Sequence, residues 1–323
     1  MSRRFTAGLY AVLFLASVVA LFSSCSISRT PVEENGQEYT EPAYEYTTKP
    51  EDPIEENGQE IDYAPEENYG NGQEAAAPEP LEPPSRLPVL AYHSVVSRQF
   101  YYPINEPNQY ILLDEVFYKQ MRYLYENGFN SITSSQLIDF LFYDGVLPQN
   151  PIAITFDDGY LDNYLFAAPI MRQFGFTGMV FLITGNLPET SQSMTAFPLQ
   201  FLSAEEILAS TDVFEFGSHA HYMHAAVSGV PPLATESVEN IRADIRKSFE
   251  APLTFRTGFA YPHGRHSDNA IEALREEGVR FAFATHWGYV CRDTNPFILP
   301  RFSVVSDWSM ELFSQLVGGE WED

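Results

Sequence analysis

The chain has 323 residues, 45% of them apolar, which is enough for one large domain or two small ones with a substantial core. Its formal net charge of -26 argues against nucleic acid as a partner, because binding a phosphate backbone needs a basic surface. More than half of the excess negative charge lies between Val32 and Leu81.

The N-terminus has the form of an export signal. Arg3-Arg4 precede an apolar run from Leu9 to Phe22, and Ser23-Ser24-Cys25 follow it. Small residues before a cysteine resemble the cleavage box of bacterial lipoproteins, although Phe22 stands where that box usually has Leu. We therefore predict a signal peptide over residues 1–25, lipidation of Cys25, and an exported protein anchored to a membrane at the cell surface or envelope without spanning it. An ordinary signal peptide or an uncleaved anchor helix is the alternative.

Residues 26–85 are predicted to be a disordered acidic tether. Glu, Pro, Gly, Asn and Gln dominate the segment, so it has little apolar surface to bury against the cost of ordering. The stretch Pro31–Glu38 returns almost unchanged as Pro53–Glu60. A repeat this polar has no face to stack, and its like charges are expected to keep it extended.

The folded domain is predicted over residues 86–323, where strands and helices alternate. The predicted strands are Pro88–Tyr92, Ser131–Thr133, Ile152–Phe156, Met179–Ile183, Phe214–Ser218, Gly258–Tyr261 and Val279–Thr285. The predicted helices are Asp114–Asn127, Ser135–Tyr143, Asn163–Phe174, one opening at the capping box Ser203–Glu206, Glu236–Phe249, Ser267–Glu276 and Met310–Val317. About seven strand–helix units favour an α/β fold, predicted as a distorted (β/α)7-type barrel, over an open sheet.

Two adjacent carboxylates follow one of these strands. Asp157 and Asp158 come directly after the apolar run Ile152–Phe156, at the strand end where barrels keep their chemistry. Like charges this close repel one another, so the pair is costly unless a cation or a proton lies between them. A plain Asp-Asp-Gly turn that closes the strand is the alternative.

Histidines follow other strands of the predicted barrel. His93 follows the first strand, and His219 follows the strand Phe214–Ser218. His221 and His224 lie in the loop after His219. Because the C-terminal ends of parallel strands meet at one mouth, we expect these side chains to be neighbours of the two carboxylates. A carboxylate with two imidazoles is a common ligand set for a catalytic divalent metal, and a second carboxylate beside it can accept a proton from water.

These motifs, in this order, resemble those of the polysaccharide deacetylases, the NodB-homology group also known as carbohydrate esterase family four. Thr155–Gly159 matches the first family motif, Gly217-Ser218-His219 begins the second, and the resemblance spans residues 87–323. In that family the first Asp is the general base and the second binds a metal together with two histidines. The resemblance therefore implies Asp157 as base and Asp158 and His219 as ligands of a divalent metal, with zinc expected and cobalt, nickel, manganese or iron as alternatives.

The histidine spacing is similar to that of a subgroup that acts on extracellular poly-N-acetylglucosamine. Most family members place the second metal histidine four residues after the first, where this chain has Met223. The subgroup uses five, which implies His224 as the third ligand. Its catalytic acid lies in an N-terminal Tyr-His motif, and Tyr92-His93 fits that motif, so His93 is the implied acid.

The sequence departs from the family pattern at two points. The family generally has Thr or Ser after the first metal histidine, whereas this chain has Ala220 and so lacks a hydroxyl that would brace the loop. His221 is interpreted as a surface residue, with a substitute metal ligand as the alternative. The third family motif usually carries an arginine that orients the base, but Phe259–Gly264 has none. Arg301 is the candidate for that cation, and a surface arginine is the equal alternative.

The resemblance implies a hydrolase that removes N-acetyl groups from an N-acetylglucosamine polymer. The sequence does not give the oligomeric state, and a monomer is our expectation. Substrate contacts are expected from Tyr160, Tyr261, Pro262 and Gly264, with a backbone N–H near Tyr160 stabilising the oxyanion. Loop aromatics such as Tyr101, Tyr102, Tyr222 and Trp287 are candidates for stacking on sugar rings. The alternatives are an O-acetyl esterase acting on acetylated xylan or peptidoglycan, and a decayed barrel that only binds carbohydrate.

Overall fold

The computed structural model of this chain describes residues 84–101, 108–195 and 199–319. The predicted signal peptide, the lipidation site Cys25, Tyr102 and all but the last two residues of the predicted tether lie outside the described residues. Among the residues that are described, every helix is too short or too polar to cross a membrane.

The strands form one central parallel sheet and two small two-stranded additions. In chain order they are β1 (Arg86–Leu87), β2 (Val89–Tyr92), β3 (Ser94–Val96), β4 (Ile111–Leu113), β5 (Asn130–Ser131), β6 (Pro151–Phe156), β7 (Gly178–Leu182), β8 (Phe214–Ser218), β9 (Gly258–Ala260), β10 (Phe281–Phe283), β11 (Val290–Cys291) and β12 (Phe302–Ser303). The central sheet has the order β10-β9-β8-β7-β6-β2-β12, and β5 pairs with β6 beside that path. All of its strand pairs are parallel, so the C-terminal ends of the strands lie at the same end of the sheet.

Helices connect the strands in the alternation that the sequence predicts. They are α1 (Arg98–Tyr101), α2 (Asp114–Glu126), α3 (Ser134–Phe142), α4 (Ala168–Phe174), α5 (Ala204–Ala209), α6 (Val238–Ser248), α7 (Asp268–Glu276) and α8 (Met310–Val317). The predicted helix Asn163–Phe174 opens with a π-helical turn, Asn163–Ala167, before α4 begins. The predicted capping box is present, since the Ser203 hydroxyl and the Glu206 side chain both cap α5.

The sheet curls until its two edges approach each other. At one edge Leu299 forms a parallel bridge with Phe283 of β10, and at the other Phe302 of β12 pairs with Leu90 of β2. Residues 299–303 therefore join the two edges, which confirms the predicted distorted α/β barrel. This closing segment carries Arg301 in its middle, with its side chain fully buried.

Burial on both faces explains why the central strands are continuous apolar runs and not alternating ones. Every residue of β6 and of β7 is buried. The helices instead bury a single stripe, as α2 does with Phe117, Met121 and Leu124. The packing of the helices against the strands fixes the positions of the strand ends. It therefore also fixes the positions of the residues that follow each strand.

Candidate active site

Three side chains from two strand ends converge on one point. Asp158 follows β6, His219 follows β8, and His224 lies in the loop after His219. Nε2 of His219 lies 3.6 Å and Nε2 of His224 lies 3.1 Å from Oδ1 of Asp158. The three ligand atoms lie within 4.8 Å of one another, so the structure brings together the three residues that the sequence predicts as ligands.

The donor chemistry of this cluster fits a divalent metal. Nδ1 of His219 donates a hydrogen bond to the Ala260 carbonyl oxygen at 2.7 Å, which leaves the Nε2 lone pair facing the cluster. Burial lowers the pKa of His219 to about 4, against the opposing charge of Asp157, so the ring is neutral at pH 7. A neutral imidazole is the form that binds a metal, and one carboxylate with two imidazoles suits zinc and its neighbours in the first transition row.

The turn that presents the two carboxylates is strained and tightly held. Asp158 has a φ of 72°, in the left-handed region that side chains other than glycine rarely adopt. Gly159 follows with a φ of 80°, and a Cβ there would lie 2.5 Å from Cδ2 of Leu182. The Asp157 N–H donates to the Tyr92 carbonyl at 2.9 Å, which ties the turn to β2. Backbone strain of this kind is found at functional sites, where the surrounding structure enforces it.

Asp157 lies beside the cluster and is held by Arg301. The Arg301 Nη1 and Nη2 atoms donate to the two Asp157 carboxylate oxygens at 2.8 and 2.7 Å, and Nε donates to the Ala284 carbonyl at 3.0 Å. Burial by itself would raise the pKa of Asp157, but the charges of Arg301 and His219 and the Arg301 hydrogen bonds lower it below its usual range. Asp157 is therefore an ionised carboxylate in a fixed orientation.

His93 reaches the same site from the end of β2. Its ring centroid lies 4.6 Å from that of Tyr110, and its buried Nδ1 finds no hydrogen-bond partner among the described residues. The backbone that follows His93 is held by Asp162, which accepts hydrogen bonds from the Ser94 hydroxyl at 2.6 Å and the Val95 N–H at 3.2 Å. His93 thus has a fixed backbone and a ring that lines the cavity.

These side chains line one open cavity of about 570 Å³. Besides the five groups described above, its wall contains Tyr110, Tyr160, His263, Gly264, Thr285, Trp287, Ser303, Val305 and Trp308. Trp287 and Trp308 meet edge to face with ring centroids 5.8 Å apart, and Trp287 is 56% exposed. The cavity therefore combines a polar, ionised floor with apolar aromatic faces at its mouth.

The predicted substrate contacts divide into two groups. Tyr160 and Gly264 line the cavity, whereas Tyr261 and Pro262 are buried and do not line it. The Tyr261 N–H extends the ladder to β10, and its ring packs against Phe259 with centroids 5.6 Å apart. These two residues therefore lie beneath the wall, and their contact with substrate stays a prediction. A loop motif read from sequence does not reveal which of its residues face inward.

Among the aromatic residues proposed for stacking, Trp287 lines the cavity. Tyr222 is 71% exposed and does not line it. Tyr110, Thr285 and Trp308 line it without having been singled out, because they stand in segments that carry no motif. A lone aromatic in a connecting segment cannot be told from a core residue without the fold.

The other histidines occupy different positions around the site. The Nδ1 atom of His221 lies 2.9 Å from the Thr184 hydroxyl, and His221 does not belong to the three-residue cluster. His263 lies at the cavity wall, where its Nε2 is 3.1 Å from the His224 carbonyl oxygen. His266 packs against the buried Tyr261 ring with centroids 5.4 Å apart.

Comparison with known proteins gives one family. Residues 144–282 match the model of the polysaccharide deacetylase family. The chain is 25% identical over 237 residues to YxkH of Bacillus subtilis, whose name assigns it provisionally to the polysaccharide deacetylases. The match covers 73% of this chain and 77% of that protein. It is 26% identical over 210 residues to a poly-beta-1,6-N-acetyl-D-glucosamine N-deacetylase of Staphylococcus epidermidis, covering 62% of this chain and 71% of that protein.

A solved structure shares the fold. The Streptococcus pyogenes deacetylase PplD, solved in complex with acetate, superposes with a TM-score of 0.60 and 19% sequence identity. The match covers 73% of this chain and 99% of PplD.

Proposed function

We propose, from the polysaccharide deacetylase domain that this chain carries, that it hydrolyses N-acetyl groups of an N-acetylglucosamine-containing polysaccharide outside the cell, with a divalent metal as cofactor. One observation carries the proposal. The cluster of Asp158, His219 and His224 adjoins an ionised carboxylate, Asp157, and an imidazole, His93, on a single cavity. That set offers a ligand site, a candidate base and a candidate acid, the groups that metal-assisted amide hydrolysis uses.

Asp158, His219 and His224 would hold the metal through one carboxylate oxygen and two Nε2 atoms. When bound, a divalent metal supplies Lewis acidity toward a carbonyl oxygen and lowers the pKa of water. The hydrogen bond from Nδ1 of His219 to the Ala260 carbonyl fixes that ring, so the site is oriented before any ligand arrives.

Asp157 is the proposed general base. It accepts a proton from the attacking water as the water oxygen bonds to the acetyl carbon. Arg301 keeps Asp157 ionised and directs both carboxylate oxygens, so that no reorientation is needed when the proton moves. The same ion pair makes Asp157 a weaker base than a free carboxylate, which suits an acceptor facing water of lowered pKa.

His93 is the proposed general acid. Breaking the carbon–nitrogen bond of an amide would expel an amine anion, a very poor leaving group, unless a proton reaches the nitrogen first. His93 lies on the cavity wall beside Asp157 and Asp158, where its imidazolium form could deliver that proton. The backbone N–H of Tyr160, next to the Asp-Asp-Gly turn, is the candidate donor to the carbonyl oxygen as negative charge develops on it.

The cavity and one relative support the proposed substrate class. Trp287 and Trp308 offer aromatic faces at the mouth, where the apolar faces of sugar rings can stack. The relative from Staphylococcus epidermidis is named for deacetylating poly-beta-1,6-N-acetyl-D-glucosamine. We extend that polymer to this chain, with location at the cell surface through the lipid anchor that Cys25 would carry.

Acetate release from a panel of acetylated glycans tests the function. N-acetylglucosamine oligomers should release acetate, release should stop with a chelator, and added Zn²⁺ should restore it. Acetylated xylan as the better substrate would instead support an O-acetyl esterase. Binding of the oligomers without acetate release, at full metal occupancy, would support a barrel that only binds carbohydrate.

A further inference from the structure

The loop that carries His224 has an unusual backbone. Ala220 follows His219 with a φ of 74° and is fully buried. A left-handed residue of this kind turns the following backbone N–H groups toward one side, where they form a concave site for an anion. The loop therefore needs an acceptor at this point, and the alanine has no side-chain oxygen to supply one.

Asp244 supplies the acceptor from a different element. Its Oδ2 accepts a hydrogen bond from the His221 N–H and its Oδ1 from the Tyr222 N–H, each at 2.8 Å. Asp244 lies on α6 and is only 9% exposed, so these charge-assisted bonds are largely shielded from water.

The same helix holds the start of the loop. The Ser218 hydroxyl donates to the Ser248 hydroxyl at 2.7 Å and accepts from the Ala220 N–H at 3.2 Å. Ser218 directly precedes the ligand His219, and Ser248 is the last residue of α6. Contacts from α6 therefore bracket His219 on both sides.

The turn after β7 holds the loop from the other side. The N–H groups of Thr184 and Gly185 donate to the carbonyl oxygens of Ala220 and His221 at 3.1 and 3.2 Å. A Cβ at Gly185 would lie 2.4 Å from the His221 carbonyl oxygen, so the close approach requires glycine. The loop is thus clamped between this turn and α6.

We infer that Asp244 is a positioning residue that sets the metal affinity of the Asp158, His219 and His224 cluster by fixing the loop that carries His224. The inference rests on the proposed function in that it requires the cluster to bind a divalent metal. Asp244 acts through the backbone of residues 221 and 222. Without it the loop samples more conformations, and metal binding must then include the cost of ordering them.

The test compares Asp244→Asn and Asp244→Ala with Glu215→Gln in the full chain. Glu215 is a matched control because its carboxylate accepts from the Ser134 N–H and hydroxyl at 2.7 and 3.0 Å, bracing α3 and not the metal loop. Zn²⁺ is titrated into the metal-free protein in competition with a chromophoric chelator. Near-ultraviolet circular dichroism and urea unfolding report the fold of each variant.

We expect both Asp244 variants to fold and to bind Zn²⁺ about 10- to 100-fold more weakly than wild type. Glu215→Gln should keep the wild-type Zn²⁺ affinity, whether or not its stability changes. Wild-type affinity in Asp244→Asn, or an equal loss in Glu215→Gln, would overturn the inference and leave the proposed function standing. Asp244 variants that do not fold would also overturn it, since Asp244 would then serve the fold as a whole. A wild-type protein without Zn²⁺ affinity would overturn both.

Discussion

Arg301 and Asp157 form a two-point ion pair, with both oxygens of the carboxylate bound by the guanidinium at 2.8 and 2.7 Å. The two side chains are 0% and 4% exposed, so neither charge has water as a substitute partner. The pair joins the end of β6 to the closing segment of the barrel. Loss of the pair is therefore expected to affect both the protonation of Asp157 and the stability of the barrel.

Arg301→Lys should reduce acetate release and lower the free energy of unfolding by about 3–5 kcal/mol at most, because lysine cannot reproduce the two-point geometry in a buried site. Arg301→Met should in addition raise the pKa of Asp157, since the charge and the hydrogen bonds of Arg301, which oppose the effect of burial, are then lost. Activity needs the ionised carboxylate, so the acid limb of its pH profile should move to higher pH.

Arg172 provides the control for this pair. It binds Asp212 by the same two-point geometry, at 2.6 and 2.9 Å, but both side chains are about half exposed. Arg172→Lys should cost less than about 1 kcal/mol and leave the pH profile unchanged. An Arg301→Met enzyme with a wild-type pH profile would contradict the role given to Arg301.

Asp157→Asn should lower acetate release by about 10²–10⁴-fold and leave Zn²⁺ binding intact, because the amide keeps the size of the carboxylate but cannot accept the proton. The turnover number and the metal content of one preparation measure both effects. Full activity in this variant would exclude Asp157 as the base.

His93→Gln should slow amide hydrolysis far more than hydrolysis of 4-nitrophenyl acetate. An amine must be protonated to leave, whereas nitrophenolate leaves without a proton, so the loss should reach about 10²–10⁴-fold only for the N-acetyl substrate. Tyr110→Phe keeps the ring that faces His93 and should leave the ratio of the two activities unchanged. Equal losses on both substrates would contradict the role of His93 as acid.

His224→Ala should lose stoichiometric metal, and His221→Ala should retain it. The two histidines stand in one loop, but Nε2 of His224 lies 3.1 Å from Asp158, while Nδ1 of His221 contacts Thr184 at 2.9 Å. Elemental analysis of both purified variants distinguishes a ligand from its neighbour. Metal loss in His221→Ala alone would reassign the site.

Asp162 should make stability depend on pH. Burial raises the pKa of this carboxyl to about 7, against the hydrogen bonds from Ser94 and Val95, whereas an unfolded Asp titrates near pH 4. The folded protein then holds a proton that the unfolded chain has lost. The contribution of this proton to the free energy of unfolding is fully present below about pH 4. It is lost as the pH rises toward 7, by up to about 1.4 kcal/mol per pH unit.

Urea unfolding of wild type and Asp162→Asn at pH 4.5 and 7.5 measures this effect. The variant cannot titrate at this position, so its stability should fall less between the two pH values than that of wild type. Asp293→Asn, at an exposed position, is the control and should follow wild type. The same pH dependence in Asp162→Asn and wild type would exclude Asp162 as its source.

Most of the fold could be predicted because the barrel is built from local patterns. Buried parallel strands are apolar runs and helices show one apolar stripe. The predicted bounds differ from the observed ones by no more than two residues when the π-helical turn Asn163–Ala167 is counted with α4. The short strands β1, β3, β4, β11 and β12 escaped prediction because two or three residues carry no periodicity.

The site was predictable in its ligands and less so in its supports. Asp158, His219 and His224 stand in motifs, and the structure brings them together. Asp162 and Asp244, which hold the backbone beside His93 and His221, are isolated carboxylates on helical segments. Nothing in their sequence neighbourhoods separates them from solvent-exposed acids.

The alternation of strands and helices and the order of the motifs can be predicted from the chain alone, because both depend on neighbouring residues. Which distant groups meet depends on the tertiary fold. Arg301 reaches Asp157 across 144 residues because the closing segment returns beside β2. The same closure leaves Tyr261 beneath the cavity wall and brings Trp308 to its surface, since burial depends on what packs above a residue and not on the residue itself.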